Sequence, residues 1–339
     1  MTEPQTGAVR SSFHSDSANL DLIRAVAVLS VFFAHLYDIS NGGTDSLLGW
    51  HLAQIGVLIF FVHTSMVLML SLERTKDDGL FAAFYTRRFF RIYPLAMFCV
   101  TVAFLVHRSP GIGDPVRHWT WSEYLSNMSL TTNLFYIDNM VGGLWTLPIE
   151  VQMYLTLPFL FLLGRKRGIF LPLLWLASIP LAILQLRTTG RLIVMSYAPC
   201  FISGVIAWRL SREVRRSIPG ALWPLGFAAC YPLFLVANHS NHMYFRWAFC
   251  LALGLAIPWF QEIPFRTVKV GAHYIAKYSY GIYLSHIAVM LWSLSLPVSL
   301  AARWTVLSFL AIVCPIAMYH LIEHPLIQVG QRVSRRFAK

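Results

Sequence analysis

The sequence predicts an all-α polytopic membrane protein with about ten transmembrane helices and both termini in the cytoplasm. The composition, the lengths of the apolar segments and the placement of the basic residues lead to this fold class. Of the 339 residues, 57% are hydrophobic and 12% are charged, whereas about 25% of the residues in ordinary soluble domains are charged. A soluble core cannot bury this much apolar surface, so we expect an integral membrane protein.

Ten apolar segments approach the length of about 20 residues that a helix needs to cross a bilayer. In chain order they are Leu20–Ile39, Leu52–Leu72, Phe89–Val106, Leu144–Leu163, Ile169–Leu186, Leu192–Leu210, Leu222–Ala237, Met243–Phe260, Ile275–Leu296 and Ala301–Ile322. The polar segment before the first one has no cleavable signal pattern, so we expect that span to be retained. The expected organisation is a cytoplasmic tail (1–19), a stand-alone ten-helix membrane domain (20–322) and a basic cytoplasmic tail (323–339).

The basic residues predict the direction in which each span crosses. With a cytoplasmic N-terminus, the inner segments hold 20 lysines and arginines and the outer segments hold six, as the positive-inside rule requires. We therefore expect a multi-pass protein of the cytoplasmic (inner) membrane. The net charge of +12 arises from these loops, so we expect the lipid bilayer as a partner and no nucleic acid. The five cysteines lack metal-site spacing, and no metal is expected.

The first span carries an arginine and a histidine on one helix face. At about 100° per residue, Arg24 and His35 return to within about 20° of each other and lie about 16 Å apart along the axis. An arginine in mid-bilayer costs at least ~2.5 kcal/mol, so this face is expected to look into the bundle, with His35 as a proton acceptor near neutral pH. Asp38, one turn further, could orient the imidazole. The alternatives are snorkelling of Arg24 to the cytoplasmic interface and a backbone hydrogen bond of His35.

Three arginines lie within five residues at the start of the third span. Arg87, Arg88 and Arg91 belong to the stretch Tyr85–Pro94, and Arg88 and Arg91 face the same way because they are three residues apart. Two adjacent guanidinium groups form a clamp for phosphate oxygens. The alternative is an ordinary positive-inside cluster.

Later spans add further polar groups. Glu150 lies about two turns into the fourth span, and a buried carboxylate must pair, take a proton or contact a ligand. We expect Glu150 to meet His35 at a similar depth. Tyr283 and His286 present a hydroxyl and an imidazole on one face of the ninth span, with polar contacts between helices as the alternative. Glu323 lies where the tenth span meets the cytoplasm.

In this order along the chain, the motifs resemble those of acyltransferase family 3, the integral-membrane acyltransferases that modify hydroxyl groups of sugars and natural products. The matching marks are Arg24 with His35, Arg88 with Arg91 ahead of Ile92-Tyr93-Pro94, Trp145 to Glu150, Ser279 to His286, and Glu323 with Pro325. One departure lies in the second span, where many members read Phe-Phe-Val-Leu-Ser-Gly and positions 60–65 of this chain read Phe-Phe-Val-His-Thr-Ser. His63 therefore changes the expected pocket wall.

The resemblance implies an acyl-coenzyme A donor, first of all acetyl-coenzyme A, and a hydroxyl group of a carbohydrate or small molecule as acceptor. It implies no permanently bound cofactor. The implied donor-binding residues are Arg24, Arg87, Arg88 and Arg91. The implied catalytic pair is His35 as general base and Glu150, which orients His35 or the acceptor. The implied acceptor or oxyanion residues are Tyr283, His286 and Trp145, with Asp38 and Glu323 in support.

Two alternatives stay open at this point. An acyl-histidine intermediate would replace general-base catalysis. A proton-coupled transporter or flippase of a glycan or lipid-linked substrate would use Arg24, His35 and Glu150 as a proton relay.

Overall fold

The computed structural model of the protein describes residues 17–42, 47–75, 78–108, 119–188, 193–237 and 243–337. All but the last three residues of the predicted N-terminal tail (1–19) lie outside this part. The described residues form helices and connecting turns, with no strand and one isolated parallel bridge between Ile218 and Phe260. The predicted all-α class is confirmed.

Within the described residues, most helices are long, and short ones lie between α3 and α6. In chain order they are α1 (Ala18–Ser40), α2 (Leu47–Glu73), α3 (Leu80–Arg108), α4 (Trp121–Met128), α5 (Thr132–Phe135), α6 (Thr146–Lys166), α7 (Phe170–Thr188), α8 (Val194–Leu210), α9 (Trp223–Ala237), α10 (Met243–Ala256), α11 (Arg266–Ser295), α12 (Leu300–Met318) and α13 (His324–Ser334). Short 3₁₀ turns precede α9 and follow α10, and a π-helical turn (Tyr319–Glu323) joins α12 to α13.

Each of the ten predicted spans coincides with one of these helices. Among the described residues, six helices are long and apolar enough to cross a membrane, and three shorter apolar helices correspond to α8, α9 and α10. The tenth, α11, is 30 residues long and begins with a basic stretch before its apolar part. The structure therefore agrees with a polytopic membrane protein.

Several helices extend beyond the predicted spans on the side that carries basic residues. α3 begins at Leu80, α11 begins at Arg266, and α12 continues through the π-helical turn into α13. Charged residues end a hydropathy segment, but lysine and arginine are good helix formers and do not end the helix. α13 packs on α3, where a Cβ atom added to Gly330 would lie 2.6 Å from Phe90 Cβ.

The helices that frame the site pack around α1 and α2. α2 approaches α1 so closely at Gly56 that an added Cβ atom would lie 2.6 Å from the carbonyl oxygen of Ala27. α2 also packs on α8, and α1 packs on α11. Small residues at helix contacts are typical of membrane bundles because they let the backbones approach.

α1 and α11 run in the same direction. Near their first turns, Asp21 Oδ2 lies 2.9 Å from His273 Nδ1. Further along both helices, the rings of His35 and His286 lie side by side, with centroids 5.3 Å apart. The predicted topology requires this common direction for the first and ninth spans.

Candidate active site

A cavity lies between α1, α2, α3, α6 and α11. Protein interiors are otherwise close-packed and have few voids larger than a water molecule, so this space is a candidate ligand site. Arg24, Arg88, Arg91 and Glu150 all line it. Residues that the sequence singled out in three separate helices therefore meet in one cavity.

Arg24 is turned toward the interior of the bundle. Its Nε donates a hydrogen bond to Ser279 Oγ at 2.7 Å, and its Cζ lies 5.8 Å from the centroid of the Phe60 ring. Contacts with α11 and α2 therefore hold the guanidinium in the cavity wall, whereas a snorkelling arginine would leave the bundle for the interface.

Arg88 and Arg91 line the cavity but differ in their partners. Arg88 Nε is buried and has no hydrogen-bond partner among the described residues. Arg91 forms an ion pair with Glu323, whose Oε2 likewise lacks a partner within the described part of the chain. Arg87 lies outside the cavity lining, and its Nη2 donates to Thr75 Oγ1 at 2.8 Å.

Glu150 is grouped with the arginines. It is 3% exposed, lines the same cavity as Arg24 and Arg88, and accepts a hydrogen bond from Tyr154 Oη at 2.6 Å. α6 begins at Thr146, so Glu150 lies closer to the helix start than the sequence predicts. The predicted pairing of Glu150 with His35 stays a prediction.

His35 lies beside a second histidine. Its side chain is half-buried, and its ring centroid is 5.3 Å from that of His286. His286 Nδ1 lies 2.7 Å from the Tyr283 carbonyl oxygen, which can only accept, so Nδ1 carries the hydrogen. In a neutral ring Nε2 is then an acceptor. This Nε2 is buried and has no hydrogen-bond partner among the described residues.

Tyr283 connects the arginine-lined cavity with the two histidines. It lines the cavity, its hydroxyl lies 2.9 Å from Thr146 Oγ1, and its ring centroid is 5.9 Å from that of His286. The row of polar groups from the arginines to His35 therefore passes through Tyr283 and His286.

Six predicted site residues lie outside the cavity lining: His35, Asp38, Arg87, Trp145, His286 and Glu323. The Asp38 carboxylate packs against the backbone of Gly49 in α2, leaving no space for a Cβ atom there. Trp145 immediately precedes α6, and its ring centroid lies 6.1 Å from that of Tyr197.

Six further polar residues line the cavity that are not among the predicted site residues: His63, Thr64, Thr146, Tyr154, Ser279 and Tyr280. His63 is 3% exposed, and its Nδ1 has no hydrogen-bond partner among the described residues. The signal for His63 was its departure from the family pattern. Thr64, Thr146, Ser279 and Tyr280 stood inside the quoted motifs, and Tyr154 lies one turn after Glu150. Spacing within one helix does not reveal which neighbour these residues face.

The charges around the cavity suit an anionic ligand. Arg24, Arg88 and Arg91 are permanent cations, and two carboxylates, Glu150 and Glu323, accompany them. Even with both carboxylates ionised, the cluster keeps an excess of positive charge. A guanidinium group with an unsatisfied N–H in a buried site favours a phosphate or carboxylate partner.

Comparisons with known proteins show what the chain is similar to. The sequence pattern of a family described as "Acyltransferase domain" matches residues 17–320. Nodulation protein 10 of Rhizobium leguminosarum bv. viciae is 30% identical over 169 residues, which cover 44% of this chain and 45% of the relative. No solved structure matches the chain.

Two other relatives carry names that describe acyl transfer. "Putative peptidoglycan O-acetyltransferase YrhL" of Bacillus subtilis (strain 168) is 30% identical over 169 residues, 46% of this chain and 25% of the relative. "Acyltransferase MdmB" of Streptomyces mycarofaciens is 28% identical over 155 residues, 42% of this chain and 39% of the relative. The chain therefore matches less than half the length of each of these three relatives.

Proposed function

The chain belongs to acyltransferase family 3, and from this membership we propose that it is a membrane O-acyltransferase. The proposed donor is an acyl-coenzyme A, with acetyl as the first acyl group to test. The proposed acceptor is a hydroxyl group of a sugar, a glycan or a natural product. One relative is named as a peptidoglycan O-acetyltransferase, which supports a hydroxyl acceptor.

The observation that carries the proposal is the arginine-lined cavity, whose wall residue Tyr283 lies beside His286 and so next to His35. Arg24, Arg88 and Arg91 would hold the phosphates of coenzyme A, because guanidinium forks match phosphate oxygens. His35 lies eleven residues beyond Arg24 on the same helix face, about 16 Å further along the axis. The extended pantetheine arm of coenzyme A would carry the thioester across this distance.

His35 would act as the general base. It would take the proton from the acceptor hydroxyl while the hydroxyl oxygen attacks the thioester carbonyl carbon. The tetrahedral intermediate would then expel the coenzyme A thiolate, the C–S bond would break, and the thiolate would receive the proton from His35. Such proton transfer contributes about 10²–10⁴-fold to a rate.

Tyr283 and His286 would have complementary tasks beside His35. The Tyr283 hydroxyl is a donor that can turn from Thr146 to the developing oxyanion, where a positioned donor is most effective. In the observed arrangement His286 Nε2 can accept a hydrogen bond. It therefore suits the hydroxyl group of the substrate that receives the acyl group, which can donate one, better than an oxyanion. Glu150 and Tyr154, which are hydrogen-bonded to each other, would maintain the shape of the donor site and its balance of charge.

The first test is transfer of label from radioactive acetyl-coenzyme A in membranes of the source cell, which supply the natural acceptor. We expect His35→Ala to lower the rate by about 10²–10⁴-fold and Arg88→Ala to raise KM for acetyl-coenzyme A. The label should appear in an ester of the acceptor hydroxyl, and mild alkali should release the label from that ester.

Matched controls separate the site from general effects of lost charge or lost imidazole. Arg167 is exposed and lies over the Phe170 ring, and His320 is exposed at the π-helical turn. Arg167→Ala and His320→Ala should transfer like the native chain.

Transfer that survives His35→Ala contradicts the general-base role. Label trapped on His35 after an acid quench supports the acyl-histidine route instead. A folded native chain that moves a glycan across the membrane without acylating it is a transporter.

A further inference from the structure

Ser279 of α11 holds the Arg24 side chain at the cavity. Arg24 Nε donates a hydrogen bond to Ser279 Oγ at 2.7 Å, and both residues line the cavity. Ser279 is 3% exposed, so this hydrogen bond is shielded from bulk water. The contact joins a permanent cation on α1 to a neutral hydroxyl group on α11.

The hydrogen positions in this contact follow from a second bond of the same hydroxyl group. Ser279 Oγ lies 2.8 Å from the carbonyl oxygen of Ala276, which can only accept, so the single hydroxyl hydrogen points there. The lone pairs of Oγ then accept from Arg24 Nε, which can only donate. Because the hydroxyl group is fixed on the preceding turn of its own helix, Ser279 offers Arg24 an acceptor in one defined place.

The bond to Ser279 fixes the guanidinium without using the end that binds ligands. An arginine has five N–H groups, and the bond at Nε leaves the four N–H groups of the two terminal nitrogens for other partners. The Phe60 ring adds a contact from α2, with its centroid 5.8 Å from Arg24 Cζ. The terminal nitrogens form the fork that matches two oxygens of a phosphate group.

The partner of Arg24 differs in charge from the partner of Arg91. Arg91 pairs with the Glu323 carboxylate, which fixes the guanidinium but also offsets its charge. Ser279 fixes the Arg24 guanidinium without adding a negative charge. The contact therefore directs the cation and leaves its attraction for an anionic ligand intact.

We propose that Ser279 is a positioning residue for the donor, because it aims the Arg24 guanidinium at a phosphate group of coenzyme A. The proposal rests on the acyl-coenzyme A donor proposed above. Ser279 needs no contact of its own with the ligand, since it acts through Arg24. Affinity for the donor, and not the rate of the chemical step, should therefore depend on the Ser279 hydroxyl group.

The test measures the dissociation constant of coenzyme A for the purified full chain in detergent. We expect Ser279→Ala to weaken binding about five- to tenfold, the net contribution of one hydrogen bond. Ser279→Thr keeps a hydroxyl group that can bond the preceding turn, so it should restore most of the affinity. In the transfer assay, Ser279→Ala should raise KM for acetyl-coenzyme A and leave kcat unchanged.

Ser285 provides the matched control on the same helix. It is 6% exposed, and its Oγ donates to the Gly281 carbonyl oxygen at 2.8 Å, the same kind of bond that Ser279 makes to Ala276. Ser285 does not line the cavity. Ser285→Ala therefore removes a buried serine hydroxyl from α11 without changing the site, and it should bind coenzyme A like the native chain.

A double-mutant cycle shows whether Ser279 acts through Arg24. In an Arg24→Ala background the hydroxyl group has no guanidinium to aim. Adding Ser279→Ala to that background should therefore cause no further loss of coenzyme A affinity. The same factor of loss in both backgrounds would assign Ser279 to the packing of α11 and would overturn the proposal.

Three other results would also overturn it. Unchanged coenzyme A affinity in Ser279→Ala excludes the positioning role. An equal loss in Ser279→Ala and Ser285→Ala shows a general effect of lost serines in α11. A native chain that binds no coenzyme A refutes the proposed donor itself, and this result is distinguishable because it precedes any substitution.

Discussion

Arg87 and Arg88 are neighbours in the sequence, but their guanidinium groups have different surroundings. Arg87 donates to Thr75 outside the cavity, whereas Arg88 lines the cavity with a buried, unpaired Nε. A hydrogen bond to a charged group contributes about 1.5–3 kcal/mol. We therefore expect Arg88→Ala to weaken coenzyme A binding by roughly 10–100-fold and Arg87→Ala to weaken it much less.

Each of these two variants loses one positive charge, and the two positions are adjacent. Any effect of net charge on coenzyme A binding is therefore the same in both, and titration of each purified variant with coenzyme A isolates the local contact. Equal losses of affinity would show that the cluster acts through its overall charge, as an ordinary positive-inside segment does.

Helical spacing predicted which site residues share a face, but not what that face meets. The spacing of Arg88 and Arg91 is enough to place both in one cavity, because i and i+3 positions lie together on any helix. The depth of Glu150 depends on where α6 begins, and no motif marks Thr146 as its first residue. The partner of His35 depends on how α1 and α11 are aligned, which neither helix encodes alone.

At the scale of elements, one ion pair ties the C-terminal helix to the site. Arg91 of α3 pairs with Glu323 at the end of the π-helical turn, and the Glu323 side chain is fully buried while that of Arg91 is 20% exposed. Removing one partner of a buried pair leaves the other charge unpaired, at a typical cost of about 3–5 kcal/mol. We expect Glu323→Ala to destabilise the protein toward the lower end of that range, measured by thermal unfolding in detergent.

A second carboxylate provides the control for this prediction. Glu213 pairs with Arg209 four residues earlier at 2.8 Å, and both side chains are well exposed. Such surface pairs contribute at most about 1 kcal/mol, so Glu213→Ala should barely change the unfolding temperature. The double variant Arg91→Ala/Glu323→Ala should cost less than the two single losses combined. Additive losses would mean that the pair does not couple α13 to α3.

The existence of the long helices was easier to predict than their ends. The length of each apolar segment revealed the span, because a helix needs about 20 apolar residues to cross a bilayer. The ends of α3, α11 and α13 depend on packing of charged, helix-forming segments outside the apolar part. α4 begins with a capping box between Thr120 and Glu123, a local signal that hydropathy alone does not use.

At the scale of the whole molecule, the arrangement predicts which end of the cavity receives the donor. Coenzyme A thioesters are made in the cytoplasm, so the arginine end must face that side for the proposed function to hold. α1 and α11 run in the same direction, with Arg24 near the start of α1 and His35 nearer its end. The row from arginines to histidines therefore points from the proposed donor side toward the outer face.

This orientation is testable with two serine positions on opposite predicted sides. Ser217 is exposed after α8, on the predicted cytoplasmic side, and Ser295 is exposed at the end of α11, on the predicted outer side. We expect a membrane-impermeant thiol reagent to label Ser295→Cys in intact cells and Ser217→Cys only after permeabilisation. The native chain is the control, because its five cysteines all lie in apolar helices. The reverse labelling pattern would show that the arginine cluster faces the outer side. Cytoplasmic acyl-coenzyme A could then no longer be the donor.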